Sequence, residues 1–342
     1  MDMRVLGSTG VKVSPLCLGA MMFGSWGNPD QEESVRIIHR ALGSGINFID
    51  TADVYSSGES ERIVGKALAG GRRANVVLAT KAHGVMGEDV NERGNSRRWL
   101  IRECENSLRR LGTDYIDLYQ IHRPDPETDI DETLAALSDL IHAGKICYAG
   151  HSTFPAASIV EAQWTAERRQ RERFVCEQPP YSILVRGVEA DVLPTCRRYQ
   201  LGVISWGPLA SGWLSGRYRL DGDLPTSRRA QRLPHRFDMS LPGNQRKLDA
   251  ADRLAKLAAE AGMSLIHLAL GFVLSHPAVT SAIIGPRTME HLESQLGVPV
   301  EGLPADVLDR IDAIVPPGVN LNPADRGYEP PALTDPAERR RA

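Results

Sequence analysis

The chain has 342 residues, 42% of them hydrophobic, so it can bury one large core. A net charge of −3 gives no global field for nucleic acid, and the basic clusters Arg168, Arg169, Arg171 and Arg339, Arg340, Arg341 read as solvated faces. No apolar run approaches about 18 residues and no basic-then-apolar leader opens the chain, so export and membrane spanning are not expected and a cytoplasmic protein is.

Met3 to Leu6 and Val11 to Pro15 flank Gly-Ser-Thr-Gly, the pattern of a β-hairpin with a glycine turn. A short strand at 17–19 follows, and then the pattern alternates. Helices are predicted at 31–42, 60–68, 96–111, 130–142, 155–168 and 188–199, then at 245–260 with 264–275, and at 289–296. The strands between them fall at 46–49, 76–80, 116–121, 146–149, 174–177, 202–205 and 281–284. Eight strands, each followed by helix, imply a parallel sheet closed into a (β/α)8 TIM barrel, with chemistry on the βα-loop face. The fold class is therefore α/β, a single domain over 1–342 with an N-terminal hairpin and long βα loops. Three irregular stretches stand out at 83–95, 207–244 and from Pro316 to the end, the last a loop or tail with partial disorder expected.

Five cysteines, Cys17, Cys104, Cys147, Cys176 and Cys196, are odd in number and lack metal-site spacing. Reduced thiols are expected, with Cys17, Cys147 and Cys176 buried in strands. No metal site is expected.

Ionisable groups end three successive strands. Asp50 ends the second, with Tyr55 in its loop; Lys81 ends the third; His122 ends the fourth. Adjacent strand ends lie about 5 Å apart, so the four converge on one mouth. Singly, each has a plainer explanation: a loop cap, a loop aromatic, a solvated lysine, a rim histidine. Together they are harder to dismiss, because a lysine ending a buried strand needs a partner. The set has a chemistry. An ammonium beside a phenol favours the phenolate, a carboxylate holds that ammonium in place, and a histidine can orient a carbonyl oxygen. Such a group can protonate a carbonyl as hydride arrives.

These residues sit in Gly45-Ile-Asn-Phe-Ile-Asp-Thr-Ala-Asp-Val-Tyr55, Ala79-Thr-Lys81 and Leu111-Gly-Thr-Asp-Tyr-Ile-Asp-Leu-Tyr-Gln-Ile-His122. With Gly144-Lys145, Gly150-His-Ser152, Glu177-Gln178, Trp206-Gly-Pro-Leu-Ala210 and Ile283-Ile-Gly-Pro-Arg287, the chain resembles the aldo-keto reductase superfamily over nearly its whole length. The Trp206 run and the long loop after it look closer to the potassium-channel β-subunit-like branch and to bacterial sugar and aldehyde reductases. The resemblance implies an oxidoreductase that uses NADPH without a Rossmann domain. It implies Tyr55 as general acid, Asp50 and Lys81 as its tuners, and His122 as substrate orienter.

The resemblance also assigns cofactor contacts. Ser152, Thr153 and Gln178 match the carboxamide site, with Thr153 where many members have asparagine. Trp206, in place of a commoner tyrosine, matches the aromatic that stacks on nicotinamide. Gly207, Pro208, Leu209, Ala210, Ser211 and Arg217 match the pyrophosphate loop, and Arg228 is a further phosphate candidate. Gly285, Arg287, His291 and Gln295 match the adenosine-phosphate site, which precedes a helix whose N-terminus attracts anions.

Three readings follow. The first is an NADPH-dependent carbonyl reductase acting on a small-molecule carbonyl. The second is a β-subunit-like binding protein with slow redox chemistry. The third, a barrel lyase or isomerase using Lys81 as a Schiff-base amine, fits poorly with Asp50 and Tyr55 favouring a charged lysine. Met22, Trp26, His83 and Arg123 lie in loops that would choose the substrate, and their mix of aromatic and polar groups suits a sugar-like aldehyde or ketone. Oligomeric state is not readable from the sequence.

Overall fold

Two short strands pair only with each other. In this computed structural model, which describes residues 2–222 and 228–341, they are β1 (Arg4–Val5) and β2 (Lys12–Val13), antiparallel, with Arg4 opposite Val13. Eight parallel strands follow: β3 (Leu16–Gly19), β4 (Phe48–Asp50), β5 (Val77–Ala82), β6 (Ile116–Ile121), β7 (Ile146–Ser152), β8 (Phe174–Gln178), β9 (Gly202–Ser205) and β10 (Ser281–Ile284). They pair in chain order, and β10 pairs with both β9 and β3, which closes the barrel. The predicted (β/α)8 barrel with an N-terminal hairpin is the observed fold.

The helices around it are α1 (Gln31–Gly43), α2 (Glu59–Leu68), α3 (Arg97–Leu111), α4 (Ile130–His142), α5 (Ala156–Arg169), α6 (Val192–Arg198), α7 (Arg228–Arg232), α8 (Pro242–Glu260), α9 (Leu265–Ser275), α10 (Met289–Glu293), α11 (Ala305–Ile314) and α12 (Pro331–Thr334). Local chemistry sets their ends. Ser96 caps α3 by accepting from Trp99 N, and Gly112 ends it in the left-handed conformation. No single helix among the described residues is long and apolar enough to cross a membrane.

The core divides at the barrel wall. A large apolar shell lies between strands and helices, and a smaller cluster fills the barrel interior: Leu6, Val13, Cys17, Phe48, Ala79, Leu118, Cys176 and Ile204. Leu6 and Val13 come from the hairpin, so the hairpin plugs the barrel floor. The plug is tight. A Cβ on Gly7, at φ +55°, would meet Gly202 N at 2.7 Å, so only glycine lets that turn approach the strand.

Several boundaries differ from expectation. The second barrel strand is Phe48–Asp50, because the Asn47 side chain instead ties Ser14 N and Lys12 O of the hairpin. The helix expected at 188–199 is a 3-10 turn, Gly187–Glu189, and then α6, since Glu189 turns back to accept from Tyr181 Oη and Arg186 Nε. The helix expected at 289–296 is only Met289–Glu293. α11 was not expected at all. Cys147, the second residue of β7, is exposed, contrary to expectation; the other four cysteines are buried.

Candidate active site

The site is one step up the barrel from its apolar interior. Side chains alternate along a strand, so residues two apart share a face. Moving two residues along β4, β5, β6 and β8 leads from Phe48, Ala79, Leu118 and Cys176 to Asp50, Lys81, Gln120 and Gln178. An apolar layer therefore supports a polar one, and that polar layer is sealed: Lys81 and Gln120 are 0% exposed, Asp50 and Gln178 2%.

Its members satisfy one another. Lys81 Nζ donates to Asp50 Oδ1 at 2.5 Å, to the Thr51 carbonyl at 2.9 Å and to Tyr55 Oη at 3.3 Å. Asp50 Oδ2 accepts from Gln178 Nε2 at 2.9 Å and from Gln120 Nε2 at 3.1 Å. Gln178 Nε2 also donates to Gln120 Oε1 at 3.1 Å. Burial pushes the Lys81 pKa down, but Asp50 and then Tyr55 outweigh it and hold the amine above its ordinary value. The ammonium is thus charged beneath the phenol.

Tyr55 and His122 stand above this layer. Their rings meet edge to face with centroids 5.7 Å apart. Burial drives the His122 pKa well below the ordinary 6.5, and Lys81, Arg123 and His83 add to the effect. His122 is neutral and can present one N–H to an oxygen. Asp53, in the Tyr55 loop, is fully buried with Oδ2 unpartnered. Burial, with Glu61 and Glu103, pushes its carboxyl well above the ordinary value. All four expected groups meet as foreseen. Gln120 was missed, although its position two residues after inward-facing Leu118 marks it.

The expected cofactor residues line one side of the mouth. Ser152 Oγ donates to the Gln178 carbonyl at 2.8 Å. Thr153 sits at φ +62° with its N–H on Glu177 Oε1 at 2.8 Å, and Glu177 pairs with buried His151. Gln178 spends its amide N–H groups on Asp50 and Gln120, which leaves Oε1 to accept from a carboxamide. Trp206 follows β9, and its Nε1 points to Thr153 Oγ1 at 3.4 Å.

Beyond Trp206 the chain turns left-handed at Gly207, Ala210 and Ser211, around Pro208 and Leu209. Successive N–H groups in such turns form anion-binding concavities. Arg217 and Arg287 both face His291 and help lower its pKa, after burial. Gly285 is exposed beside them. Gln295 is buried, and its amide donates to the His291 carbonyl at 2.6 Å. Thr288 caps the short helix α10 by accepting from His291 N, so the anion site rests on side chains more than on the helix end. The side chain of Arg228 lies outside the described residues.

The loops close around this mouth. Trp26 tilts on Tyr55 with ring centroids 6.0 Å apart, and its loop, with Met22, is held by Ser56 and Glu59. His83 Nδ1 meets Asn95 Oδ1 at 3.0 Å, and Asn95 Nδ2 donates to the Arg123 carbonyl. The tail returns across the mouth. Asp325 pairs with Lys247 at 2.9 Å, and a Cβ on Gly327 would meet the Trp206 ring at 2.7 Å. Among the described residues no group of three or more His, Cys, Asp or Glu is placed to hold a metal.

The fold is thus a (β/α)8 barrel with a phenol over a buried ammonium at its mouth. The chain belongs to the aldo/keto reductase family, which it matches over residues 15–316. It is similar to the uncharacterised oxidoreductase YrpG of Bacillus subtilis, 38% identical over 92% of this chain and 96% of that one. The aldo-keto reductase YhdN of the same organism is 36% identical over 86% and 87%. A protein of Oryza sativa named a probable voltage-gated potassium channel subunit beta is 34% identical over 92% and 97%. The chain is therefore an oxidoreductase of this family.

Proposed function

We propose that the protein reduces an aldehyde or ketone to the alcohol with NADPH. The observation that carries this reading is the position of Tyr55 Oη 3.3 Å from a Lys81 ammonium that Asp50 holds in place. The mouth fits a nicotinamide cofactor: Gln178 Oε1 and Ser152 suit its carboxamide, Trp206 its ring face, residues 207–211 its pyrophosphate, and Arg217, Arg287 and His291 its adenosine phosphate. When bound, NADPH supplies the hydride.

The chain's own residues do the rest. Tyr55 donates its phenolic proton to the carbonyl oxygen. Lys81 stabilises the phenolate left behind, and Asp50 prevents Lys81 from turning away. Neutral His122 donates its ring N–H to the same oxygen and fixes its approach. Trp26 and the tail exclude water from that side.

The test is loss of NADPH absorbance with a reactive aldehyde. Tyr55→Phe keeps the ring and removes the acid, so turnover should fall about 10²–10⁴-fold while NADPH still binds. Near-normal turnover in that variant would sink the assignment. The relatives named as channel subunits support a second reading, a partner protein with slow chemistry. A single slow turnover in the unmodified enzyme would favour it.

A further inference from the structure

The proposed reaction leaves Arg123, at the mouth, without a task. Arg123 follows His122 at the end of β6, half-buried. Nη1 donates to the His122 carbonyl at 2.5 Å and lies 3.5 Å from Ser152 Oγ. Nε and Nη2 make no hydrogen bond to any described residue. The acids nearby are committed elsewhere. Asp50 belongs to Lys81, Glu177 to His151, and Asp325 is shared by Lys247 and Arg236. Asp125 accepts from Glu127 N and Thr128 Oγ1 within its own loop and from Asn95 N of the loop after β5.

Charges of both signs act on Arg123. Burial disfavours its charge, Tyr55 and Glu177 favour it and Arg236 opposes it, while Arg232 lies 4.0 Å over the Trp26 ring, with no carboxylate paired to Arg232 among the described residues. A half-buried guanidinium with two unbonded nitrogens and no ion-paired carboxylate among the described residues is free to grip an oxyanion. Arg123 also feels the Tyr55 hydroxyl electrostatically and lies beside His122. A carbonyl oxygen held by those two residues places the remainder of the same molecule within reach of the free donors.

We propose that Arg123 determines specificity by binding an oxyanion on the substrate, so that the enzyme prefers carbonyl compounds bearing a carboxylate or phosphate to neutral ones of similar shape. This rests on the carbonyl-reduction reading above. The guanidinium fork matches either oxyanion with two parallel hydrogen bonds. A neutral substrate leaves those donors unsatisfied.

The test compares kcat/KM with NADPH for matched pairs: carboxybenzaldehyde against its methyl ester, and glyceraldehyde phosphate against glyceraldehyde. The unmodified enzyme should favour the charged member of at least one pair by roughly 10- to 100-fold, chiefly through KM. The pair with the larger ratio identifies the oxyanion. Arg123→Gln should bring that ratio close to unity, whatever it does to the absolute rates, and Arg123→Lys should restore part of it. Added salt should shrink the ratio in the unmodified enzyme. Ratios near unity in the unmodified enzyme, or an unchanged ratio in Arg123→Gln, overturn the proposal. Calorimetric titration of the NADPH complex with carboxybenzaldehyde and its ester gives a readout free of turnover. Selective binding of the acid that Arg123→Gln removes supports the oxyanion site even if no substrate is reduced, in which case carbonyl reduction alone has failed. Equal binding of acid and ester rejects the site.

Discussion

Lys81 Nζ donates to Asp50 Oδ1 across 2.5 Å, and both side chains are sealed from solvent. The ammonium is the charge on which the site depends, since nothing else near Tyr55 favours its phenolate so directly. Removing one partner of a buried pair costs about 3–5 kcal/mol, because the other is left unpaired. Lys81→Met and Asp50→Leu should each lose about that much, and the double variant should lose clearly less than their sum. Urea denaturation measures all three. Lys81's share of the pair's contribution persists through neutral pH, because Lys81 is held above its ordinary 10.5, and it fades as alkali removes that proton. Additive losses would show that the two side chains stabilise the fold independently.

His122 behaves in the opposite sense. Its folded-state pKa lies well below 6.5, so the unfolded chain takes up a proton first on acidification. Stability associated with His122 is present above about pH 6.5 and is lost as pH falls toward the folded-state pKa, by at most about 2 kcal/mol at pH 5. His122→Gln keeps a donor and cannot titrate. The gap in melting temperature between the unmodified protein and this variant should narrow or reverse between pH 8 and pH 5. His276 and His291 are also lowered, but they are present in both proteins and cancel. Parallel curves would mean that His122 is not the neutral group described.

Asp50, Lys81 and His122 were legible in the sequence because each ends an apolar run, where a polar residue is conspicuous, and Tyr55 because it lies in the loop just after Asp50. Gln120 was not, because it stands between Tyr119 and Ile121 inside a strand and looks ordinary unless the inward face is counted from Leu118. α11 was hidden between prolines, Pro304 before it and Pro316 after it, although Val307 and Ile311 give it a buried stripe. The meeting of Gly327 with Trp206 was beyond reach. No local pattern links a glycine in a proline-rich tail to an aromatic at a strand end, and only the closed fold brings them together.

That meeting makes a prediction of its own. Gly327 sits at φ +85°, and a Cβ there would lie 2.7 Å from the Trp206 ring and 3.0 Å from Thr153 Cγ2. Gly327→Val is strained in its backbone and in its contacts, so it should lift the tail from the indole. Cofactor binding should quench Trp206 fluorescence in the unmodified protein, and Trp206→Phe should lose most of that quench. In Gly327→Val the free-protein emission should shift to longer wavelength as the indole gains water, and KM for the carbonyl should rise. An unchanged spectrum and KM would place the tail's influence elsewhere.

On the proposed reading, the choice of cofactor turns on Arg287. NADPH carries one 2′-phosphate more than NADH. Arg287 is half-buried, with its backbone anchored by Asn28 Nδ2 on its carbonyl at 2.9 Å, and its side chain faces His291 together with Arg217. No acid lies between Ile283 and Met289 to accept the ribose hydroxyl of NADH instead. A guanidinium grips a phosphate through charge-assisted hydrogen bonds worth roughly 1.5–3 kcal/mol, or about 10- to 150-fold in affinity. Arg287→Ala should therefore weaken NADPH binding by about that factor and leave NADH nearly unchanged. The dissociation constants of both cofactors should be measured for both proteins at one low salt concentration, because the contact is ionic. Raising the salt should weaken NADPH binding more in the unmodified protein than in the variant. Equal losses for the two cofactors would show that Arg287 does not read the 2′-phosphate, and Arg217, which faces the same histidine, would be the next residue to replace.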